Sequence, residues 1–229
     1  MIIGTDNQKR SKSRGNVINP DETIAEIGAD AFRLYEMFMG AFDQAIPWST
    51  EGARGCRRFL ERVWRLQEML IDEEGVRKEM EVPVNAMIKK VTDDIERMKF
   101  NTAIAAMMAF VNDVYTNGKI SRGELKALCL CLNPVAPHIT EEMWENCGFG
   151  DPIYTQSWPT YDENKLVADE VEIAVQIKGK VRARIMVPAN LTQADGENLL
   201  ENETVKKLVG DAVVRKLIFV PGRLLNIVC

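Results

Sequence analysis

The run Glu172-Ile173-Ala174-Val175-Gln176-Ile177-Lys178-Gly179-Lys180-Val181-Arg182-Ala183-Arg184-Ile185-Met186-Val187 is where the apolar period of the chain drops from about 3.6 residues to about 2. Ile173, Val175 and Ile177 alternate with other residues, and Val181, Ala183, Ile185 and Val187 resume the alternation after Lys178-Gly179-Lys180. Such spacing places alternate side chains on one face of each strand of a hairpin. A two-residue turn would set Ile177 opposite a charged residue. A three-residue turn over Lys178-Gly179-Lys180 instead predicts Ile177 against Val181, Val175 against Ala183 and Ile173 against Ile185, with Gly179 or its neighbour left-handed. Gln176, Arg182 and Arg184 then lie on the opposite face.

Downstream, 192–209 reads as helix in two pieces because Asn202 interrupts it. Residues 213–220 and 223–228 read as a second hairpin around Pro221-Gly222. The expectation is a small α+β domain of order β-β-α-β-β over 169–229, a size that can just sustain its own core.

Upstream, the period is helical. A first long helix is expected over 51–72, with an apolar arc of Phe59, Leu60, Val63, Leu66, Leu70 and Ile71. A second, 83–98, repeats at Ile88, Val91, Ile95 and Met98. A third, 101–117, repeats at Ile104, Met108, Val111 and Tyr115. Ser121-Arg122-Gly123-Glu124 is a capping box opening a fourth, which Asn133-Pro134 ends. Pro137-His138 opens a fifth that reaches Cys147-Gly148. Short connections predict an antiparallel helical bundle over 47–150, with Trp64 and Trp144 in its core. The Pro-, Tyr-, Trp- and acid-rich stretch 151–168 reads as a linker.

Before the bundle, two short helices are expected. Asp21 caps the first (22–27), which Gly28 ends. The second (30–39) is apolar at Ala31, Leu34, Tyr35 and Phe38, and is too small to stand alone. It is expected to pack on whatever precedes it in a longer chain. The fold class is therefore multidomain and mainly α, a helical bundle followed by the α+β domain.

Composition narrows the function. The 229 residues are 46% hydrophobic and 28% charged, as in ordinary globular proteins. No apolar run approaches the roughly 18 residues of a membrane span, and the N-terminus has no signal-peptide pattern. A net charge of −5 argues against indiscriminate coating of nucleic acid, so RNA contact requires local basic patches. Five cysteines without a CxxC pair, and one histidine, do not make a metal site. Cys129 and Cys131 are expected to pack as small hydrophobes, and the odd unpaired count fits a reducing cytosol.

Two patches answer the requirement for local positive charge. Arg54, Arg58, Arg62 and Arg65 fall in one stripe of the first long helix, flanked by Arg57. With Glu61 and Glu68 on the same surface, the stripe is either a salt-bridged solvated face or a phosphate-contacting one. Lys178, Lys180, Arg182 and Arg184 cluster on the hairpin with almost no acid nearby in sequence, which suits a curved phosphate backbone. Edge protection by charged residues is the competing explanation. His138, followed by Glu141-Glu142, reads as a structural or capping residue.

The stretch Lys9-Arg10-Ser11-Lys12-Ser13-Arg14-Gly15-Asn16 combines point charges, hydroxyls and backbone donors suited to a polyphosphate, without a Walker pattern. It continues through Asn19-Pro20-Asp21, Gly28-Ala29-Asp30-Ala31 and Arg33-Leu34-Tyr35. This succession resembles the KMSKS loop of class I aminoacyl-tRNA synthetases and the segment after it, with Arg10 where the family pattern has Met. Glu36-Met37-Phe38-Met39-Gly40 and Ile46-Pro47-Trp48-Ser49 look like the leucyl-tRNA synthetases of bacterial type. Neither a terminal coiled coil, typical of valyl enzymes, nor a cysteine-rich module, frequent in isoleucyl ones, follows.

The resemblance implies a cytoplasmic, monomeric enzyme that activates leucine with ATP and Mg²⁺ and transfers it to tRNA(Leu). Lys9 and Lys12 would be the catalytic charges on the phosphates, with Ser11 and Ser13 completing an ATP-binding loop. Residues 1–46 would hold that loop and the end of the catalytic domain, 47–150 the anticodon-binding domain, and 169–229 a tRNA-contacting domain. Lys178, Lys180, Arg182, Arg184, Arg54, Arg58 and Arg62 are the candidate tRNA contacts. The HIGH motif, nucleotide-binding sheet and editing domain have no counterpart, so the chain is expected to be a fragment, inactive by itself, whose partner is the rest of the same chain. A free-standing RNA-binding protein, or a piece of a valyl or isoleucyl enzyme, is the alternative.

Overall fold

The computed structural model describes residues 2–3, 19–41, 46–166, 170–177, 179–189, 191–210, 212 and 214–228. Its contacts divide the chain into two units, Met1–Leu166 and Val167–Cys229.

The first unit opens with β1 (Ile2–Ile3) and two helices, α1 (Pro20–Ile27) and α2 (Ala29–Phe38). Asn19, not Asp21, caps α1: its Oδ1 accepts from Asp21 N at 3.1 Å, because Pro20 occupies the first helical position, where its missing N–H costs nothing. α2 buries Ala31, Leu34 and Tyr35 against the later helices α3 (Thr50–Arg65), α5 (Phe100–Asn117) and α7 (Pro137–Asn146). These partners follow α2 in the chain, so its apolar face has support besides anything that precedes it in a longer chain. Leu34 and Leu128 belong to one core, so packing does not break near residue 46. Between α2 and α3, β2 (Ile46–Pro47) pairs in parallel with β1, and Trp48 stands edge-on to Tyr35 at 5.0 Å between ring centroids.

The α-helix α3 stops at Arg65, seven residues short of its expected end. A 3₁₀ turn, Leu66–Met69, buries Leu66, and β3 (Leu70–Ile71) then pairs in parallel with β4 (Ile120–Ser121). Leu70 and Ile71 gave the right apolar period but use it in an extended backbone. Trp64, expected in the core, lies at the edge of the buried face of α3 and is 40% exposed.

α4 (Glu81–Glu96) and α5 pack side by side, and α6 (Arg122–Leu132) starts at the expected capping box. Ser121 Oγ accepts from Glu124 N at 3.3 Å, and Glu124 Oε2 accepts from Ser121 N at 3.0 Å. Met98, expected on the apolar face of α4, lies beyond its end at φ 58° and is 56% exposed. Trp144 on α7 is buried as expected. Cys56, Cys129 and Cys131 are buried too, and burial pushes the Cys56 thiol up to about 11 and that of Cys131 to about 12.

The stretch after α7 is a packed strap, not a linker. Trp144 Nε1 donates to Asp151 O at 2.8 Å, and Ile153 is buried. Trp158 Nε1 donates to Thr92 Oγ1 at 2.8 Å, Asp162 N to Asn85 Oδ1 at 2.7 Å, and Lys165 pairs with Glu81 at 2.7 Å. Its Pro- and acid-rich composition resembles a linker because these anchors are isolated contacts to α7 and α4, with no period of their own.

The second unit is a four-stranded sheet of β5 (Glu170–Ile177), β6 (Lys180–Pro188), β7 (Lys216–Val220) and β8 (Leu224–Val228), in the order β6-β5-β8-β7. β5 and β8 run parallel; the two hairpin pairs are antiparallel. Between the hairpins lie a 3₁₀ stretch, Gln193–Glu201, and α8 (Glu203–Val209), capped by Asn202. Leu199 and Val205 from these pack with Ile173, Val175, Ile185 and Leu225 of the sheet.

The first hairpin corrects the expected register. Ile177 opposes Lys180, so the turn holds two residues, with Gly179 at φ 77°, where a side chain would be strained. A bulge then shifts register between Gln176↔Val181 and Val175↔Ala183, leaving Arg182 as the extra residue. Ile173↔Ile185 and Val175↔Ala183 pair as expected, whereas Val181 turns outward and is 55% exposed.

Candidate nucleic-acid interface

α3 presents its arginines because Ala53, Cys56, Phe59, Leu60 and Val63 hold the opposite face in the core. Their charges are not equally available. Arg54 Nη2 pairs with Glu26 at 2.7 Å and Arg58 Nη2 with Glu51 at 3.0 Å. Arg57 pairs with Glu61 at 3.2 Å and donates to Glu26 O at 3.0 Å. Arg62 Nη2 donates instead to a neutral acceptor, Asn112 Oδ1, at 2.9 Å, and its guanidinium carbon lies 4.6 Å from the Tyr115 ring centroid. The structure thus brings Arg54, Arg58 and Arg62 onto one face while neutralising the first two.

On the hairpin, Lys180 and Arg182 are exposed. Arg184 Nη1 pairs with Glu172 Oε2 at 2.9 Å across the strands, so this face is not as free of acid as the local sequence suggested. Gly179 N donates to Asn226 Oδ1 at 3.2 Å, which ties the turn to β8. Lys178 lies outside the described residues, as do Lys9, Arg10, Ser11, Lys12 and Ser13.

Two polar clusters elsewhere in the first unit are built around the buried carboxylates Asp30 and Glu124. Asp30 on α2 caps α7: its Oδ2 accepts from Ile139 N at 2.7 Å, its Oδ1 lies 2.7 Å from His138 Nδ1, and the His138 ring is 73% exposed. His138 is therefore held at a helix start, with its partner on another element.

The second cluster, Arg77 with Glu124, gave no signal in the sequence. Both side chains are at least 98% buried, and Arg77 Nη2 meets Glu124 Oε2 at 2.8 Å while Nε meets Oε1 at 2.9 Å. Arg77 Nη2 also donates to Lys119 O at 2.9 Å. Burial by itself would raise the Glu124 pKa. Hydrogen bonds from the Arg77 side chain and from the Arg77 and Ser121 backbones outweigh it, and the pKa is lowered. Just beside this cluster, a Cβ on Gly123 would lie 2.8 Å from the backbone of Glu74 and Gly75, so α6 can approach that loop only with glycine here. Among the described residues, no group of three or more His, Cys, Asp or Glu side chains is placed to hold a metal ion, and no helix is long and apolar enough to cross a membrane.

Residues 77–197 match the family model described as the anticodon-binding domain of tRNA ligase. Over all 229 residues the chain is 50% identical to a leucine–tRNA ligase of Alkaliphilus oremlandii, in whose C-terminal part it aligns and of which it spans 29%. It is also similar to a crystal structure of the Agrobacterium radiobacter K84 LeuRS in ternary complex with tRNA and LeuAMS. That match has a TM-score of 0.71 at 33% identity and covers 100% of this chain and 32% of that one. The chain belongs to the family of tRNA-ligase anticodon-binding domains.

Proposed function

We propose that this chain is the C-terminal, tRNA-binding part of a leucine–tRNA ligase, which activates leucine with ATP and transfers it to tRNA(Leu). The observation that supports this most is the 50% identity over all 229 residues to a leucine–tRNA ligase. A free-standing RNA-binding protein or a valyl or isoleucyl fragment is disfavoured by the same match. On this reading the helices of the first unit form the antiparallel, anticodon-binding type of bundle, and the second unit is a separate tRNA-contacting module.

Lys9, Lys12, Ser11 and Ser13 would face the phosphates of ATP, with Mg²⁺ as its counter-ion. Two ammonium groups there would offset charge building on the departing pyrophosphate. On the α3 face, Arg62, which no carboxylate neutralises, would meet the RNA backbone, whereas Arg54 and Arg58, expected there from the sequence, are paired with Glu26 and Glu51. The hairpin residues Lys178, Lys180, Arg182 and Arg184 would meet it too. The enzyme would act as a cytoplasmic monomer. Leucine-dependent ATP–pyrophosphate exchange and charging of tRNA(Leu) by the full-length protein test the reading. Charging of a valine or isoleucine tRNA in preference to tRNA(Leu) would refute it.

A further inference from the structure

We propose that within the α3 stripe the tRNA backbone is gripped by Arg62 and Arg65, with Tyr115 and Asn112 as positioning residues that hold Arg62 ready. This rests on the tRNA-binding reading above and says which charges of that face carry it.

A guanidinium already paired with a carboxylate has little net field left for a phosphate, and using it would expose the abandoned acid. Arg54, Arg57 and Arg58 are in that state, opposite Glu26, Glu61 and Glu51. Arg62 is oriented by groups that leave its charge intact. Asn112 Oδ1 takes one of its donors, and the Tyr115 ring supports its plane. The ring is itself fixed, because the Tyr115 hydroxyl donates back to Arg62 O at 2.9 Å. Four of the five side-chain N–H groups of Arg62 remain for an incoming phosphate without loss of either support. Arg65, in the last turn of the same helix, is exposed and forms no ion pair among the described residues. α3 thus ends in two unneutralised arginines, one of them held rigid. A planar, preorganised fork of this kind favours a phosphate over a diffuse anion, and it loses less side-chain freedom on binding.

The test measures binding of a tRNA(Leu) transcript to the full-length protein as a function of salt. Arg62→Gln keeps a donor for Asn112 and removes the charge. It should weaken binding about tenfold, as expected for one charged hydrogen bond. It should also reduce the slope of log K against log salt by about 0.7 to 0.9. Arg65→Gln should reduce the slope similarly. The double variant Glu51→Gln/Arg58→Gln removes a neutralised pair and should leave both quantities unchanged. Tyr115→Leu keeps apolar bulk but frees the guanidinium. It should lower affinity several-fold while the slope stays near that of the parent, a split that mere loss of stability would not give.

Equal losses at the Arg58 pair and at Arg62, or no loss at Arg62, would overturn the proposal while leaving tRNA binding itself intact. A parent protein that does not bind the transcript would sink the functional reading and this inference with it.

Discussion

Arg58 and Arg77 each meet a glutamate about 3 Å away, in regions of opposite character. The Arg58–Glu51 pair stands on the open face of α3, with side chains 61% and 72% exposed. The Arg77–Glu124 pair is enclosed where α6 begins, with exposures of 2% and 0%. Water screens the first pair and competes with it, so its partners can be lost or exchanged at little cost. The second pair has no water to fall back on, and each partner is held by further hydrogen bonds to backbone. The interior pair therefore fixes the structure of the first unit, while the exterior pair can be removed with little effect on it.

The largest effect that would break this contrast is expected from Glu124→Ala. It takes from Arg77 its buried partner, leaving only the half-exposed Glu79 at 3.2 Å, opens the capping box, and should cost about 3–5 kcal/mol of unfolding free energy in denaturant titration. Replacing both partners by apolar residues of similar size, Arg77→Met with Glu124→Leu, should cost less than the single change, because no orphan charge remains. A double variant worse than Glu124→Ala would show that the bonds from Arg77 to Lys119 O, rather than the charge balance, carry the region.

Next comes Gly123→Ala. A methyl group there meets the backbone of Glu74 and Gly75, which has little room to move, and about 1–3 kcal/mol of destabilisation is expected. An unchanged denaturation midpoint would mean that the loop gives way freely.

Acid distinguishes the interior pair from the exterior one. The folded-state pKa of Glu124 lies below its unfolded value, so its stabilisation is present above the unfolded pKa and is lost as pH falls through the folded one. Acid unfolding should accordingly set in below about pH 4, near the ordinary carboxylate range, and Glu124→Ala should flatten that part of the stability profile. A profile of the same steepness in both proteins would assign the acid sensitivity elsewhere. The smallest effect is expected on the α3 face. Arg58→Ala should change stability by less than about 1 kcal/mol, and by still less in high salt.

What the sequence made legible follows the range of the interactions. The capping box Ser121–Glu124 was readable because both partners lie within three residues, and Asn202 was readable as a break between two helical pieces, though not as the cap of α8. The pairing of Glu124 with Arg77 spans 47 residues and leaves no periodic trace. The apolar arc of α3 was correct up to Leu66, but nothing local marked the switch from helix to strand at Leu70, which depends on Ile120 as partner. In the hairpin, side-chain alternation fixed Ile173↔Ile185 and missed the bulge, since one extra residue at Arg182 alters the turn without disturbing the pattern beyond it. The basic residues of the candidate interface were visible as residues. Which of them are neutralised was visible only in part: Glu26 and Glu172 reach Arg54 and Arg184 from another helix and another strand, whereas Glu51, the partner of Arg58, lies on α3 itself.

The most direct test of the central claim, that this chain carries tRNA-binding surface for a leucine–tRNA ligase, is the salt dependence of tRNA(Leu) binding by the full-length protein with Lys180→Ala and Arg182→Ala combined. These two exposed cations should account for two phosphate contacts, so the slope of log K against log salt should fall by about 1.4 to 1.8. Leucine-dependent ATP–pyrophosphate exchange, which needs no tRNA, should be unchanged. An unaltered slope and affinity would contradict the account and leave the hairpin charges as protection for the exposed strand β6.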